Sequence, residues 1–378
     1  MEKRTIALFI LGFLYLNNLF SQEFKKTLKI NGRIQADYEF LSRAKGGYEL
    51  NGFEFRRVHL SATGKLSPKI KYKIETDFAH GQIGFRDVYI KFLGGKVGNF
   101  SIGSVPEPTG LDMLTSSKYI PFTERAMITS LQNFRWGAGL HYENFNILKG
   151  QLGFQLALTN NGNNNEGFKD VNLEAGNNLV ARLTGTPINN KEKKQLIHLG
   201  INLAYRPGKD LKFRPENHLG EKYHYIIPNG DKRNELGLEF AGTFKNFSLQ
   251  TEYKKQDISN DLNLNFNFQS YYVFVSYFLT GENRPYKHGA FGRIKPKKDI
   301  DHNGYGAFEV VTRFSNMKAS QAVVDINPGL PDNINNISLG INWYLTAHTR
   351  IMYNYITTDD NSSLGNLNGH IIRVQIDF

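Results

Sequence analysis

From Lys29 to Phe40 the side chains alternate: Ile30, Gly32, Ile34, Ala36, Tyr38 and Phe40 share one parity, Lys29, Asn31, Arg33, Gln35, Asp37 and Glu39 the other. A period of two describes a strand with one apolar and one charged face. The pattern recurs from Lys69 to Phe78, where Ile70, Tyr72, Ile74 and Phe78 face away from Lys69, Lys71, Lys73, Glu75 and Asp77. A soluble sandwich also holds a few such strands, so their number decides. Sixteen segments qualify, near 28–41, 54–67, 69–79, 86–92, 97–104, 136–143, 147–159, 178–186, 196–206, 234–245, 246–257, 266–279, 305–315, 336–346, 348–358 and 370–378. An even number suits a single-chain transmembrane barrel, and many of the segments have the roughly 9–11 residues that a tilted strand needs to cross a bilayer. The pattern therefore predicts an all-β, 16-stranded antiparallel transmembrane β-barrel. Ser67-Pro68, Lys245-Asn246 and Thr346-Ala347 read as tight turns on one side, and 104–135, 207–233, 280–304 and 359–369 as long loops on the other. Segments 266–279 and 305–315 are apolar on both parities, which leaves their facing open.

The two ends of the chain fit export to an outer membrane. Met1-Glu2-Lys3-Arg4, an apolar run from Ile6 to Leu16 and the small residue Ser21 form a signal peptide over 1–21, cleaved after Ser21. That run is too short to span hydrocarbon, which takes roughly 20 apolar residues, and no longer one follows. Residues 22–378 are then a single outer-membrane β-barrel domain. The chain stops at Phe378, on the parity of Ile372, Val374 and Ile376 and opposite Arg373, Gln375 and Asp377. A terminal aromatic on an amphipathic strand resembles the signal read by the barrel insertion machinery.

Composition narrows the chemistry. There is no cysteine, which excludes disulfides and thiolate metal sites, and 28 Phe and 19 Tyr accompany a mean hydropathy of −0.43, unlike a disordered chain or a helical membrane protein. His59 and Ser61 share a face only because of the period, and no acidic orienter or oxyanion loop accompanies them. No HExxH, GxxxxGK[ST] or GxGxxG follows a strand, so no cofactor or metal is expected. The formal charge is +11, yet acidic and basic groups on the polar parity nearly balance and are expected to pair across strands. Position is more informative, because the basic groups concentrate in the first five segments and recur in long loops as Lys118, Arg125, Lys212 and Arg214. Loops that fold into a barrel and carry Arg and Lys favour anions. An exported barrel meets lipid and lipopolysaccharide phosphate, not nucleic acid.

The chain resembles the phosphate-selective porin O and P family. The matches run in order: Asn31-Gly32-Arg33-Ile34-Gln35-Ala36-Asp37-Tyr38; Phe55-Arg56-Arg57-Val58; Gly110-Leu111, Thr115-Ser116-Ser117-Lys118-Tyr119 and Glu124-Arg125; His198-Leu199-Gly200; Tyr277-Phe278-Leu279-Thr280-Gly281-Glu282; Ile294-Lys295-Pro296; Gly306-Ala307-Phe308-Glu309; and Leu339-Gly340-Ile341-Asn342-Trp343-Tyr344. The resemblance implies a homotrimeric 16-stranded porin that passes small anions, phosphate or polyphosphate, through a basic constriction. It implies wall residues Arg33, Arg56, Arg57 and Lys71, and a folded loop contributing Ser116, Ser117, Lys118 and Arg125. Lys212 and Arg214 fall where the family has a ladder of arginines, Glu216 departs from it, and Asp87 matches an acidic lumen partner. Ser116 and Ser117 would otherwise cap a helix over 116–125. A general diffusion porin, a barrel enzyme and an adhesin are the rival functions.

Overall fold

The computed structural model describes residues 24–378 except 82, 132–135, 161–176, 208–209 and 261–263. Segment 1–21 therefore lies outside the described residues. The barrel begins with β1 (Thr27–Arg43), β2 (Glu49–Ser67), β3 (Ile70–Asp77), β4 (Gly84–Leu93), β5 (Asn99–Pro106), β6 (Trp136–Ile147), β7 (Leu152–Asn160), β8 (Asn177–Asn190) and β9 (Gln195–Pro207). A small hairpin follows, β10 (Asp210–Phe213) and β11 (Tyr223–Ile226), then barrel strands β12 (Gly230–Phe244), β13 (Phe247–Asn260) and β14 (Asn265–Phe278). A second hairpin, β15 (Tyr286–Lys287) and β16 (Ala290–Phe291), precedes β17 (Ala307–Ala319), β18 (Asn333–Tyr344), β19 (Thr349–Asp359) and β20 (Leu367–Asp377). Sixteen strands close into one antiparallel barrel, β20 pairing with β1 through Arg33 and Asp377, and each expected segment becomes one barrel strand. None of the described helices is long and apolar enough to cross a membrane; the strands do so instead.

The parities sort as expected. Ile30, Ile34 and Tyr38 are exposed on the outer face, and Arg33, Gln35, Asp37 and Glu39 are buried on the inner one. Closure leaves no edge, so every barrel strand has a partner in a medium that offers the backbone none. Outward aromatics gather near the tight-turn end, where Phe308 stacks on Trp343 at 5.6 Å and the indole N–H donates to the Tyr305 carbonyl. Phe378 extends the last strand by exchanging backbone bonds with Gly32, and its ring occupies the space that a Cβ on Gly32 would need.

Two expectations about the loops change. Strand order puts 279–306 at the tight-turn end, which faces the periplasm in such barrels, and not among the outer loops. Nor is there a helix over 116–125: α1 (Leu111–Leu114) precedes it and α2 (Ile128–Leu131) follows, with a turn at 116–119 between them. A third short helix, α3 (Gln321–Ile326), buries Val323 against the cluster that Met127 and Leu211 join.

The strands with two apolar faces owe them to packing inside the barrel. Phe266, Phe268, Tyr272, Phe274 and Phe278 of β14 point inward, while Tyr271, Val273 and Tyr277 point out. The inner set meets three segments that fold into the lumen. Met127 and Leu131 of 107–131 pack with Leu211, Phe213 and Tyr225 of the β10–β11 hairpin against Phe266 and Phe268. Phe122, Ala126 and Ile128 cover Tyr272 and Phe274, and from the opposite end Phe291 packs on Leu111 and Ala241. Each such phenylalanine contributes about 1.5–3 kcal/mol.

Glu216 locks these segments to the wall. It is 3% exposed, takes Arg313 Nε at 3.0 Å and Nη2 at 2.5 Å, and accepts from Ser315, Asn336, Ser338 and the Met127 amide. Glu216→Ala strands a buried guanidinium and is expected to cost about 3–5 kcal/mol. Urea unfolding should show that loss, and limited proteolysis should cut the lumenal segments while the barrel still inserts.

Candidate functional site

Two irregularities in strand pairing set the inner charge pattern. Gln35 pairs with Arg57 and Ala36 with Phe55, so Arg56 is an extra residue and both Arg56 and Arg57 turn toward the lumen. Ile74 likewise pairs with Val88 and Thr76 with Phe85, which brings Arg86 and Asp87 inward together. Strict alternation would send Arg56 and Arg86 into lipid; a β-bulge avoids this.

Along β1–β4 the inner charges form a chain. Arg33 lies 3.0 Å from Glu75, and His59 bridges Glu75 at 2.6 Å and Asp77 at 3.0 Å. Lys73 pairs with Glu75 and, at 2.6 Å, with Asp87, while Arg86 reaches Asp77 at 2.7 Å. His59 is thus a wall residue among carboxylates; Ser61 donates to the Asn31 carbonyl instead and forms no pair with it. Lys65, Lys71 and Lys91 stand opposite one another across β2–β4, and Lys91 pairs with Glu143 at 2.8 Å. Facing like charges cost stability, so the wall holds this row at a structural penalty.

The expected loop residues take different kinds of partner. Arg33 Nη1 donates to Ser117 Oγ at 2.5 Å and Gln35 to the Ser117 carbonyl at 3.2 Å, which docks the 116–119 turn on β1. Ser116 accepts from the Lys118 amide, and the Lys118 ammonium stands 3.6 Å from Asp377. Burial, together with Arg33 and Arg293, lowers the Lys118 pKa against the pull of Asp377. Arg125 donates to the carbonyls of Asp112 and Thr115, so it braces the loop. Arg56 grips Glu124 at 2.8 and 3.0 Å, and Arg57, 3.7 Å from Glu124, donates to Gln35. Burial would raise the Glu124 pKa, but Arg56, Arg57 and Arg373 together hold it well below the usual range.

Exposure differs between the two sides of the barrel interior. On β8–β20 the inner arginines Arg182, Arg206, Arg233, Arg350 and Arg373 are fully buried beneath the lumenal segments. On β3–β6 the side chains of Lys73, Arg86, Lys91 and Glu143 are 21, 23, 17 and 28% exposed, and Lys71 is exposed. The aqueous side of the lumen, among the described residues, is therefore the β2–β6 wall. The ladder positions Lys212 and Arg214 lie in and beside the β10–β11 hairpin, above Arg56. Lys222 joins them, its pKa lowered chiefly by Arg214, then by burial, Lys212 and Arg56. The hairpin register brings Lys222 back to these cations, which a linear reading does not show. Glu216 proves to be a buried anchor and puts no bare negative charge among them. Asp37, Glu39 and Glu54 lie close enough for one cation, but Arg373, the His218 and Leu219 amides, and the His218 ring already occupy them.

A closed barrel of this size with inward-folded loops and a basic aqueous wall is an outer-membrane porin. The family model for phosphate-selective porin O and P matches residues 28–378, and the chain belongs to that family, whose members are channels. Porin O of Pseudomonas aeruginosa is 26% identical over 93% of this chain and 88% of its own length. Among solved structures, the anion-selective porin of Comamonas acidovorans shares the fold at a TM-score of 0.62 with 13% identity, covering 94% of this chain and all of that one. OmpT of Vibrio cholerae in its trimer form gives 0.58 with 12% identity, over 94% of this chain and 100% of its own.

The docked turn 215–220 carries a buried imidazole that ties its docking to pH. Burial pushes the His218 imidazole down to about 4, against the opposing hydrogen bond from Glu54, with Arg56 adding to the lowering. An undocked His218 takes its proton near the ordinary 6.5, so docking holds fully above that pH and weakens as pH falls toward 4. Protease cutting in 214–229 should rise between pH 7 and 4.5, and His218→Asn should flatten that rise.

Proposed function

We propose that this anion-selective porin passes phosphate-like oxyanions by passive diffusion along the β2–β6 wall, with its narrowest point at Arg33, Ser117 and Lys118. The observation that carries the reading is the one-sided burial: the accessible inner charges lie on β3–β6, where the lysine row stands. Lys212, Arg214 and Lys222 gather anions at the loop end, and Lys71, Lys73, Arg86 and Lys91 receive them toward the periplasm. Arg56, Arg57 and Arg125 hold the loop and add field. Guanidinium and ammonium donors replace part of the hydration of an oxyanion, while the nearby Glu75, Asp77 and Asp87 keep its binding weak enough for release. Transport needs no reaction or cofactor. That same pairing of cations with carboxylates favours one second reading, a porin of slight anion preference.

Export through the signal peptide, recognition of Phe378 by the insertion machinery, contact with lipopolysaccharide and assembly as a homotrimer complete the proposal. The trimer draws support from the OmpT form described above, and unheated gel mobility before and after boiling tests it.

Reversal potentials in a chloride gradient, followed by phosphate titration in a planar bilayer, test the ion path. Anion preference with saturable phosphate block is expected, and Arg33→Ala or Lys118→Ala should each raise the half-blocking concentration about tenfold, the equivalent of about 1.4 kcal/mol. Anion preference without block would leave only the weakly selective reading.

A further inference from the structure

Asp377 is almost fully buried and is approached by cations from two separate segments. Arg293, on the 279–306 segment, meets it with both terminal nitrogens, Nη1 at 3.1 Å from Oδ1 and Nη2 on Oδ2. Its Nη1 also donates to the Ala347 carbonyl at 2.5 Å, which ties the guanidinium to the β18–β19 turn. Lys118, from the loop of the opposite end, stops 3.6 Å from Oδ2, outside hydrogen-bond range. The Tyr119 ring lies beneath both cations, 5.7 Å from the Lys118 nitrogen and 5.4 Å from the Arg293 guanidinium.

We propose that Arg293 is a positioning residue for conduction: by occupying the Asp377 carboxylate it keeps the Lys118 charge uncompensated at the constriction. The inference deepens the proposed function and rests on its placing Lys118 in the ion path. A planar guanidinium takes both oxygens of a carboxylate at once, whereas an ammonium acts as a point charge and pairs with whichever oxygen is free. Two cations share one anion here, so the cluster keeps one positive charge. Arg33 on β1, engaged by Glu75 and Ser117, is a further positive charge near Lys118 and disfavours its approach to that wall. Without Arg293, the ammonium needs to move less than about 1 Å to form a direct ion pair with Asp377. A segment from the periplasmic end thus sets the charge of a residue carried by the loop from the outer end.

Bilayer measurements of phosphate block and chloride-to-potassium permeability ratio test this on the full porin. The variants are Arg293→Gln, Asp377→Asn and the double change, each with Lys118 and with Lys118→Met. Arg293→Gln should raise the half-blocking phosphate concentration about tenfold and lower the permeability ratio, and Arg293→Lys should recover part of both. Adding Asp377→Asn should restore block to within about twofold of the parent, because the carboxylate within reach of Lys118 is then neutral. In the Lys118→Met background all these changes should vanish. An undiminished Arg293→Gln effect in that background would show a plain loss of mouth charge and overturn the proposal. An Arg293→Gln channel that blocks like the parent would overturn it as well. If Lys118→Met alone leaves block unchanged, the error lies in the underlying reading of Lys118, and the proposal falls with it. Should Arg293→Gln fail to insert, Arg293→Lys decides: block weaker than the parent's with Lys118 and unchanged in the Lys118→Met background supports the proposal, and block equal to the parent's overturns it.

Discussion

Irregular backbone buried inside a membrane barrel must find hydrogen bonds on the inner wall, and most of this structure follows from that requirement. Segment 107–131 is largely non-helical, so its carbonyls and amides have few partners of their own. Wall side chains supply them: Lys254 donates to the Thr109 carbonyl, Arg350 to Ile120, Asn342 to Pro121 and Arg373 to Thr123, and Glu252 accepts the Leu111 and Asp112 amides. Polar residues that would line water in an empty barrel here satisfy a folded-in chain. Removing one leaves a buried group unpaired, which costs more than the bond itself contributed.

The requirement also explains why the lumen is one-sided. Strands β12–β20 carry the donors and the inner aromatics that hold the lumenal segments, so that side is filled and dry. Water is left to β2–β6, where charges pair with one another and remain partly accessible. Charge density follows solvent access, because a buried arginine needs a carboxylate or carbonyl partner and an accessible lysine does not. Arg182 with Glu239 and Arg206 with Glu235 obey the first condition, and Lys71 illustrates the second.

Carboxylates do most of the assigning. Glu124 pairs with Arg56 and, together with Asp37, with Arg373, and thereby withdraws them from open water; Glu216 does the same for Arg313 while fastening one loop to another. Similar arginines, equally basic in the sequence, separate into scaffold and channel wall according to which of them meets a buried acid. Arg57 and Arg125 turn their donors to Gln35 and to backbone carbonyls, whereas Arg33 meets Glu75 and Ser117.

The sequence alone determined the barrel, its strand number and the inner and outer parities, because a two-residue period reports directly on a wall with lipid on one side. It was silent on the facing of 266–279, since inner aromatics that pack on a loop look the same as outer ones that meet lipid. The bulges at Arg56 and Arg86, the periplasmic origin of 279–306, the return of Lys222 to Arg214 and the anchoring of Glu216 came only from the tertiary structure. Each of these depends on contacts between residues far apart in the chain, and local periodicity carries no information about which distant carboxylate will meet which cation.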